Sequence, residues 1–176
     1  IFRSGIKSVL PERLKLLSGP GCPVCVTDQS YVDAVLQLAD REDCIIATYG
    51  DMIRVPGKGG SLETKQSKAA VRVVLSSEDA LQLARDNPEK KIIFVAVGFE
   101  TTTPATAVAV KEAAKQGIDN FYILSGHKLV VPAMRALLSA KNNNIDGFLC
   151  PGHISVITGY GVFREIVEEF NRPCVV

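Results

Sequence analysis

Chemistry in this chain is first suggested by the two cysteines of Gly19-Pro20-Gly21-Cys22-Pro23-Val24-Cys25. A two-residue spacer lets both sulfurs turn toward one point, a spacing used by thiolate metal sites and by redox dithiols. Gly19 and Gly21 permit tight backbone geometry, Pro20 and Pro23 stiffen the loop, and a helix is expected to begin near Thr27 or Asp28. A thiol beside a helix N-terminus is drawn below its ordinary pKa of about 8.5, while the Asp28 carboxylate acts against that shift. The plain alternative is a stiff turn whose sulfurs are merely packed. Cys44, Cys150 and Cys174 are scattered in apolar surroundings and read as small core residues. They form no second pair in the sequence, so a four-ligand structural zinc site is the weaker metal reading.

Four further segments carry polar residues where a strand-like run ends. Gly98-Phe99-Glu100-Thr101-Thr102-Thr103-Pro104 leads from such a run into a helix, with Thr103 placed to cap it and Pro104 at its first position. Capping does not explain Glu100, Thr101 and Thr102, which fall at the carboxyl end of a parallel strand, where open α/β sheets bind ligands. Cys150-Pro151-Gly152-His153-Ile154-Ser155 occupies the equivalent end of a later strand. His153 there can offer a proton, a hydrogen bond or an imidazole nitrogen, although a lone histidine is more often structural. Thr48-Tyr49-Gly50-Asp51-Met52-Ile53-Arg54-Val55-Pro56-Gly57 continues into Lys58, Gly59, Gly60 and Ser61, so backbone amides with Arg54 and Lys58 could hold an anion. Lys58 is followed by Gly59 rather than Ser or Thr, and the glycines do not complete G-x-G-x-x-G, so neither nucleotide fingerprint is met. A solvated glycine-rich turn explains the same residues. Ser125-Gly126-His127-Lys128 could add polar groups to the same mouth, or be a solvated loop.

These residues must be positioned by an alternation of short β-type runs and helical stretches. Runs at 14–17, 44–48, 71–75, 92–97, 121–124, 147–150 and 174–176 are separated by residues at helical spacing: Tyr31, Val35 and Leu38; Leu81 and Ala84; Ala105, Val108 and Ala109; Met134, Leu137 and Leu138. That is the βαβ pattern of parallel sheets. The polar stretch Arg85-Asp86-Asn87-Pro88-Glu89-Lys90-Lys91 is the best boundary. The expected architecture is therefore two small α/β lobes, 1–88 and 89–176, with mainly parallel sheets flanked by helices and an active cleft between them.

Composition narrows the function classes. With 176 residues and 47% hydrophobic content the chain can bury a substantial core. Its 20 basic and 19 acidic side chains leave a net charge of +1, so no long-range field gathers nucleic acid or anionic lipid. No apolar run approaches the roughly 18 residues of a membrane span. Five cysteines, an odd number without an export signal, point to reduced thiols in the cytoplasm. The start at Ile1-Phe2-Arg3, without an initiator Met, reads as a fragment or a processed product.

The motifs GPGCPVC, TYGDMIRVPG, GFETTTP and PGHIS, in this order and at these separations, together resemble the HypD family of hydrogenase-formation proteins. The resemblance covers essentially the whole chain but not the whole family protein. It implies an iron-binding scaffold on which the Fe(CN)2CO unit of nickel-iron hydrogenase is assembled, with a HypC-type chaperone and a HypE-type cyanide donor as partners. Cys22 and Cys25 match the paired motif cysteines and would be the iron ligands. Glu100, Thr101 and Thr102 would line the cleft, and His153 would face it. The family also has a Cys-Gly-Thr-His motif just upstream and C-terminal cysteines that hold a [4Fe-4S] cluster, neither of which falls within these residues. A thiol-disulfide oxidoreductase and a non-catalytic anion-binding module are the rival readings of the same residues.

Overall fold

The computed structural model describes residues 5–19, 21–65 and 71–176. Two apolar runs, Cys44–Thr48 (β1) and Lys91–Gly98 (β3), are buried along nearly their whole length. Strands buried on both faces need helices on both sides. The chain supplies them in order: Gln29–Ala39 (α1) before β1, then Leu62–Lys65 (α2), Val71–Val73 (β2) and Ser77–Asp86 (α3) before β3. Thr103–Gln116 (α4) and Phe121–His127 (β4) follow it.

Local chemistry sets the helix starts. Asp28 caps α1 by accepting the Ser30 amide at 2.7 Å. Ser76 and Asp79 form a reciprocal capping box at α3. Side-chain alternation then sorts β1 between two layers. Cys44 and Ile46 pack with Val35, Leu36 and Val95 under α1, whereas Ile45 and Ala47 pack with Ala80, Ala84 and Phe94 under α3.

The strands form one parallel sheet in the order β2-β1-β3-β4. The chain leaves β1 for one side and returns on the other as β3, with Cys44 opposite Lys91 and Thr48 opposite Val95. The loops after β1 and β3 therefore diverge at the carboxyl edge, the point where open α/β sheets leave room for a ligand.

A second, smaller unit follows. Val130–Leu138 (α5), Gly152–Thr158 (α6) and Arg164–Phe170 (α7) accompany a two-stranded parallel sheet of Phe148–Leu149 (β5) and Cys174–Val175 (β6). Its core is Val131, Met134 and Leu138 against Phe163 and Ile166. The expected α/β class, with parallel strands and flanking helices, is what the chain adopts.

The boundary expected at 88 is not a boundary of the sheet. β1 and β2 precede it, β3 and β4 follow it, and all four share one sheet. The polar stretch is a tied turn rather than a linker: the Asn120 amide nitrogen lies 3.0 Å from the carbonyl oxygens of Ala84, Asn87 and Lys90. The change of sheet falls instead after β4. The run at 14–17 also departs from expectation: it joins no described strand, and Leu14 and Leu17 are exposed. Three leucines around Lys15 make a strand only where a neighbouring strand accepts their hydrogen bonds.

Asn120→Ala should lower the stability of the four-stranded unit by about 1–3 kcal/mol, since buried carbonyls lose their donor. A urea midpoint unchanged from the parent would make 85–91 a free linker after all.

Candidate functional site

The cysteine loop is a turn pinned from inside. The Thr27 amide donates to the Val24 carbonyl at 3.1 Å, the Thr27 hydroxyl donates to the Pro23 carbonyl at 2.9 Å, and Val24 packs onto the core beneath α1. Anchoring Val24 leaves Cys22 half-buried and Cys25 exposed, with their sulfurs 2.6 Å apart. Pro20, expected to stiffen this loop, lies outside the described residues. Tyr31 ties the start of α1 to β4, its hydroxyl donating to the Leu124 carbonyl at 2.7 Å.

Cys22 and Cys25 are not equivalent. The Cys25 thiol and then its amide, 3.2 Å from the Cys22 sulfur, donate to Cys22 and draw its pKa below the ordinary thiol value. The same interaction raises Cys25, which keeps the shared proton. Cys22 is therefore the more acidic thiol of the pair and Cys25 the donor beside it. The cause is the neighbouring cysteine rather than the helix expected beyond it, and the opposing carboxylate is Asp51 rather than Asp28.

Both sulfurs open onto a cavity of about 580 Å³ lined also by Val24, Gly50, Asp51, Ile53, Arg54 and Glu63. Gly50 to Arg54 belong to the loop after β1, so the thiol pair stands at the carboxyl edge of the sheet. That loop closes against α1 because Gly57 has no side chain: a Cβ there would come within 2.4 Å of a Leu36 methyl carbon. The Lys58 amide donates to Asp33 at 2.8 Å and its ammonium lies 3.8 Å from the same carboxylate. Arg54 pairs with Glu63 at 3.2 Å. The two cations read as an anion site are thus each engaged by a carboxylate, which weakens that reading.

The GFETTTP segment forms the neighbouring loop, after β3. A Cβ at Gly98 would overlap the Thr102 hydroxyl at 1.8 Å, so the tight turn requires glycine here. Thr103 is the first helical residue of α4 rather than its cap, and Thr102 occupies the cap position without a capping bond. Both hydroxyls instead donate to the Phe99 carbonyl at 3.1 Å. Thr101 is exposed. Glu100 turns toward the smaller unit: one oxygen accepts the Val130 amide at 2.9 Å at the start of α5, and the other is buried without a partner among the described residues. The adjacent Lys128 amide donates to the Gly98 carbonyl at 2.8 Å. Lys128 also acts on Asp28 through its charge, which brings the end of β4 near the start of α1.

The structure thus brings Cys22 and Cys25 together with Asp51, Arg54 and Glu63. Glu100, Thr101 and Thr102 lie at the same sheet edge but outside the cavity wall, and His153 is exposed on α6 of the smaller unit, also outside it. Glu63 carried no sequence signal, being a charged residue on a short polar helix. Asp51 stood within a motif read for its cations. Among the described residues no third histidine, cysteine or carboxylate joins the thiols as a metal-binding cluster, and no helix is long and apolar enough to cross a membrane.

Comparison with known proteins accounts for the motif order. Residues 1–176 match the model of HypD, described as the hydrogenase formation hypA family. The chain belongs to the HypD family. The hydrogenase maturation factor HypD of Escherichia coli K12 is 43% identical over 177 residues, covering all of this chain and 48% of that protein. HypD2 of Bradyrhizobium diazoefficiens is 41% identical over 184 residues, with 48% of it covered. A putative hydrogenase expression/formation protein of Methanocaldococcus jannaschii is 43% identical over 177 residues, with 49% covered. The chain spans about half the length of these curated HypD-family relatives.

Alkylation by iodoacetamide across pH should modify Cys22 before Cys25, with a midpoint below the ordinary thiol range of about 8.5. Removing the donor in Cys25→Ala should move the Cys22 midpoint up. Preferential labelling of Cys25 near neutrality would contradict the assignment. Glu100→Gln keeps an acceptor for Val130 and should be nearly neutral, whereas Glu100→Ala should cost about 1–3 kcal/mol of thermal or urea stability.

Proposed function

We propose that this chain forms the thiolate part of a hydrogenase-maturation scaffold, in which Cys22 and Cys25 hold low-valent iron while its Fe(CN)2CO coordination is assembled. The observation that carries this reading is the inequivalent thiol pair opening onto the cavity at the switch point between β1 and β3. The donor set suits the cargo. Two soft thiolates match a soft, electron-rich iron better than a hard cation. Two protein donors also leave coordination positions open for diatomic ligands.

This chain's own residues have definable parts. Cys22 supplies the first thiolate, and Cys25 releases its proton as the metal is taken up, since a thiolate rather than a thiol is the ligand. Asp51 and Glu63 place negative charge in the wall, and Arg54, held by Glu63, supplies the positive charge there. The N-terminus of α4, at the neighbouring strand end, favours negative charge as helix N-termini do, and Thr101 is the exposed hydroxyl beside it. Glu100 acts as a brace between the two units. A HypC-type chaperone and a HypE-type cyanide donor are the partners this reading requires, and the cytoplasm is the compartment that keeps the thiols reduced.

The rival reading is a thiol-disulfide oxidoreductase, favoured by the thiolate-thiol division of labour at Cys22 and Cys25. Anaerobic titration with ferrous iron separates the two. The expected result is a thiolate-to-iron absorption band that disappears in the Cys22→Ala, Cys25→Ala double variant, and cyanide and carbonyl infrared bands once the maturation partners are added. Unchanged iron uptake by the double variant would sink the scaffold reading. Turnover of a disulfide substrate without iron would select the oxidoreductase.

A further inference from the structure

Two cysteines far apart in sequence meet in the smaller unit. The parallel pairing of β5 and β6 sets Phe148 opposite Cys174 and Leu149 opposite Val175. The Cys150 amide continues the ladder, donating to the Val175 carbonyl at 2.7 Å. Side chains two apart share a face of a strand, so Phe148, Cys150 and Cys174 all face the cluster of Met134, Leu138, Phe163 and Ile166. Cys150 and Cys174 thus pack against a core, as expected, and strand pairing puts both against the same cluster. Cys44, 3% exposed, is the buried one of the three.

The two thiols share one apolar cluster but differ in surroundings, and the Cys174 thiol lies 3.8 Å from the Arg172 carbonyl oxygen. Burial first, then the charge and hydrogen bond of Cys174, push the Cys150 thiol up to about 12. Cys174 also lines a cavity of about 280 Å³ with Tyr160, Gly161, Phe163, Arg164, Val167 and Val176, a wall that does not include Cys150. Arg164 is the charged residue of that wall. A reagent entering from solvent meets Cys174 first, beside a guanidinium that attracts carboxylates.

We propose that Cys174 and Cys150 form a second thiol pair, in which Cys174 exchanges with a small carboxylate-bearing disulfide entering beside Arg164 and Cys150 resolves the product to an internal disulfide. Cys174, as thiolate, attacks one sulfur of the incoming disulfide, forms a mixed disulfide and releases one thiolate. Cys150 then gives its proton to water and attacks the Cys174 sulfur, forming the Cys150–Cys174 bond and releasing the second thiolate. The small disulfide is reduced by the electron pair that the two cysteines lose. The pair is diagonal across the strands, and a disulfide needs its Cα atoms within roughly 7 Å. Closure therefore draws the end of β5 toward the start of β6. The poor thiolate supply at Cys150 makes closure the slow step, so the mixed disulfide on Cys174 accumulates near neutral pH.

The test uses oxidised glutathione as probe on the reduced chain carrying Cys22→Ser and Cys25→Ser, which removes the protein's other dithiol as a source of disulfide. Mass spectrometry should find one glutathione on Cys174, followed by its loss and a cross-linked 150–174 peptide. The closing step should speed up about tenfold per pH unit between about 7 and 9, following the thiolate fraction of Cys150. Adding Cys150→Ser should trap the adduct on Cys174, and adding Cys174→Ser should leave Cys150 unmodified. Arg164→Gln should slow the first step several-fold with oxidised glutathione but not with neutral hydroxyethyl disulfide. Peptide mapping of the chain with every cysteine intact must give the same cross-link, which guards against a serine variant that misfolds. Equal and independent adducts on Cys150 and Cys174, no cross-linked peptide, or labelling confined to Cys44 would each overturn the proposal.

Discussion

The pairing of β1 with β3 is the constraint on which the other features of this molecule depend. It joins the two most fully buried strands of the chain across an intervening strand and two α-helices, and each residue from Cys44 to Thr48 has its partner on β3. Because β2 lies on the far side of β1, the connections after β1 and β3 leave in opposite directions. Backbone carbonyls and amides inside the sheet are satisfied by neighbouring strands, whereas those just past the carboxyl ends are not. Polar loops and ligands collect there for that reason. A slip of one residue would turn Cys44 and Ile46 away from α1 and move the loop that walls the cavity.

What stands at that edge is a charge-division device rather than a pair of equal ligands. Donors from Cys25 favour ionisation of Cys22, and the same interaction disfavours ionisation of Cys25. The arrangement favours one negative charge on the pair over two, in a wall that also holds Asp51 and Glu63. A cation entering the cavity reverses the balance, since it rewards the second deprotonation that the empty pair resists. The same asymmetry suits disulfide exchange, which is why iron binding rather than geometry discriminates the two readings.

Glu100 illustrates how a fold can occupy a residue that a motif presents as chemical. Its carboxylate spans from the end of β3 to the first amide of α5, where a helix N-terminus favours negative charge. With the Lys128 to Gly98 hydrogen bond, it forms the joint between the four-stranded sheet and the smaller unit that carries His153. The hydroxyls of Thr102 and Thr103 are likewise taken up by the Phe99 carbonyl, which leaves Thr101 as the free hydroxyl of the three.

Much of this was legible in the residues themselves. Apolar runs bounded by turn residues marked β1 and β3, helical spacing marked α1 and α3 to α5, and the cysteine spacing with its glycines and prolines marked the thiol site. These signals are local: burial pattern, capping and a two-residue spacer act within a few positions of the chain. The unit boundary, the role of Glu100, the inclusion of Glu63 in the cavity wall and the meeting of Cys150 with Cys174 were decided only by tertiary structure. Each depends on which strand lies beside which, and a hydrogen-bond ladder forms between segments whose separation in sequence carries no trace of their pairing. The polar stretch at 85–91 reads as a linker until Asn120, some 30 residues on, reaches its carbonyls. Sequence by itself determined a C-x-x-C pair on an α/β scaffold; the sheet order decided what surrounds that pair, and strand pairing set Cys150 and Cys174 against one apolar cluster.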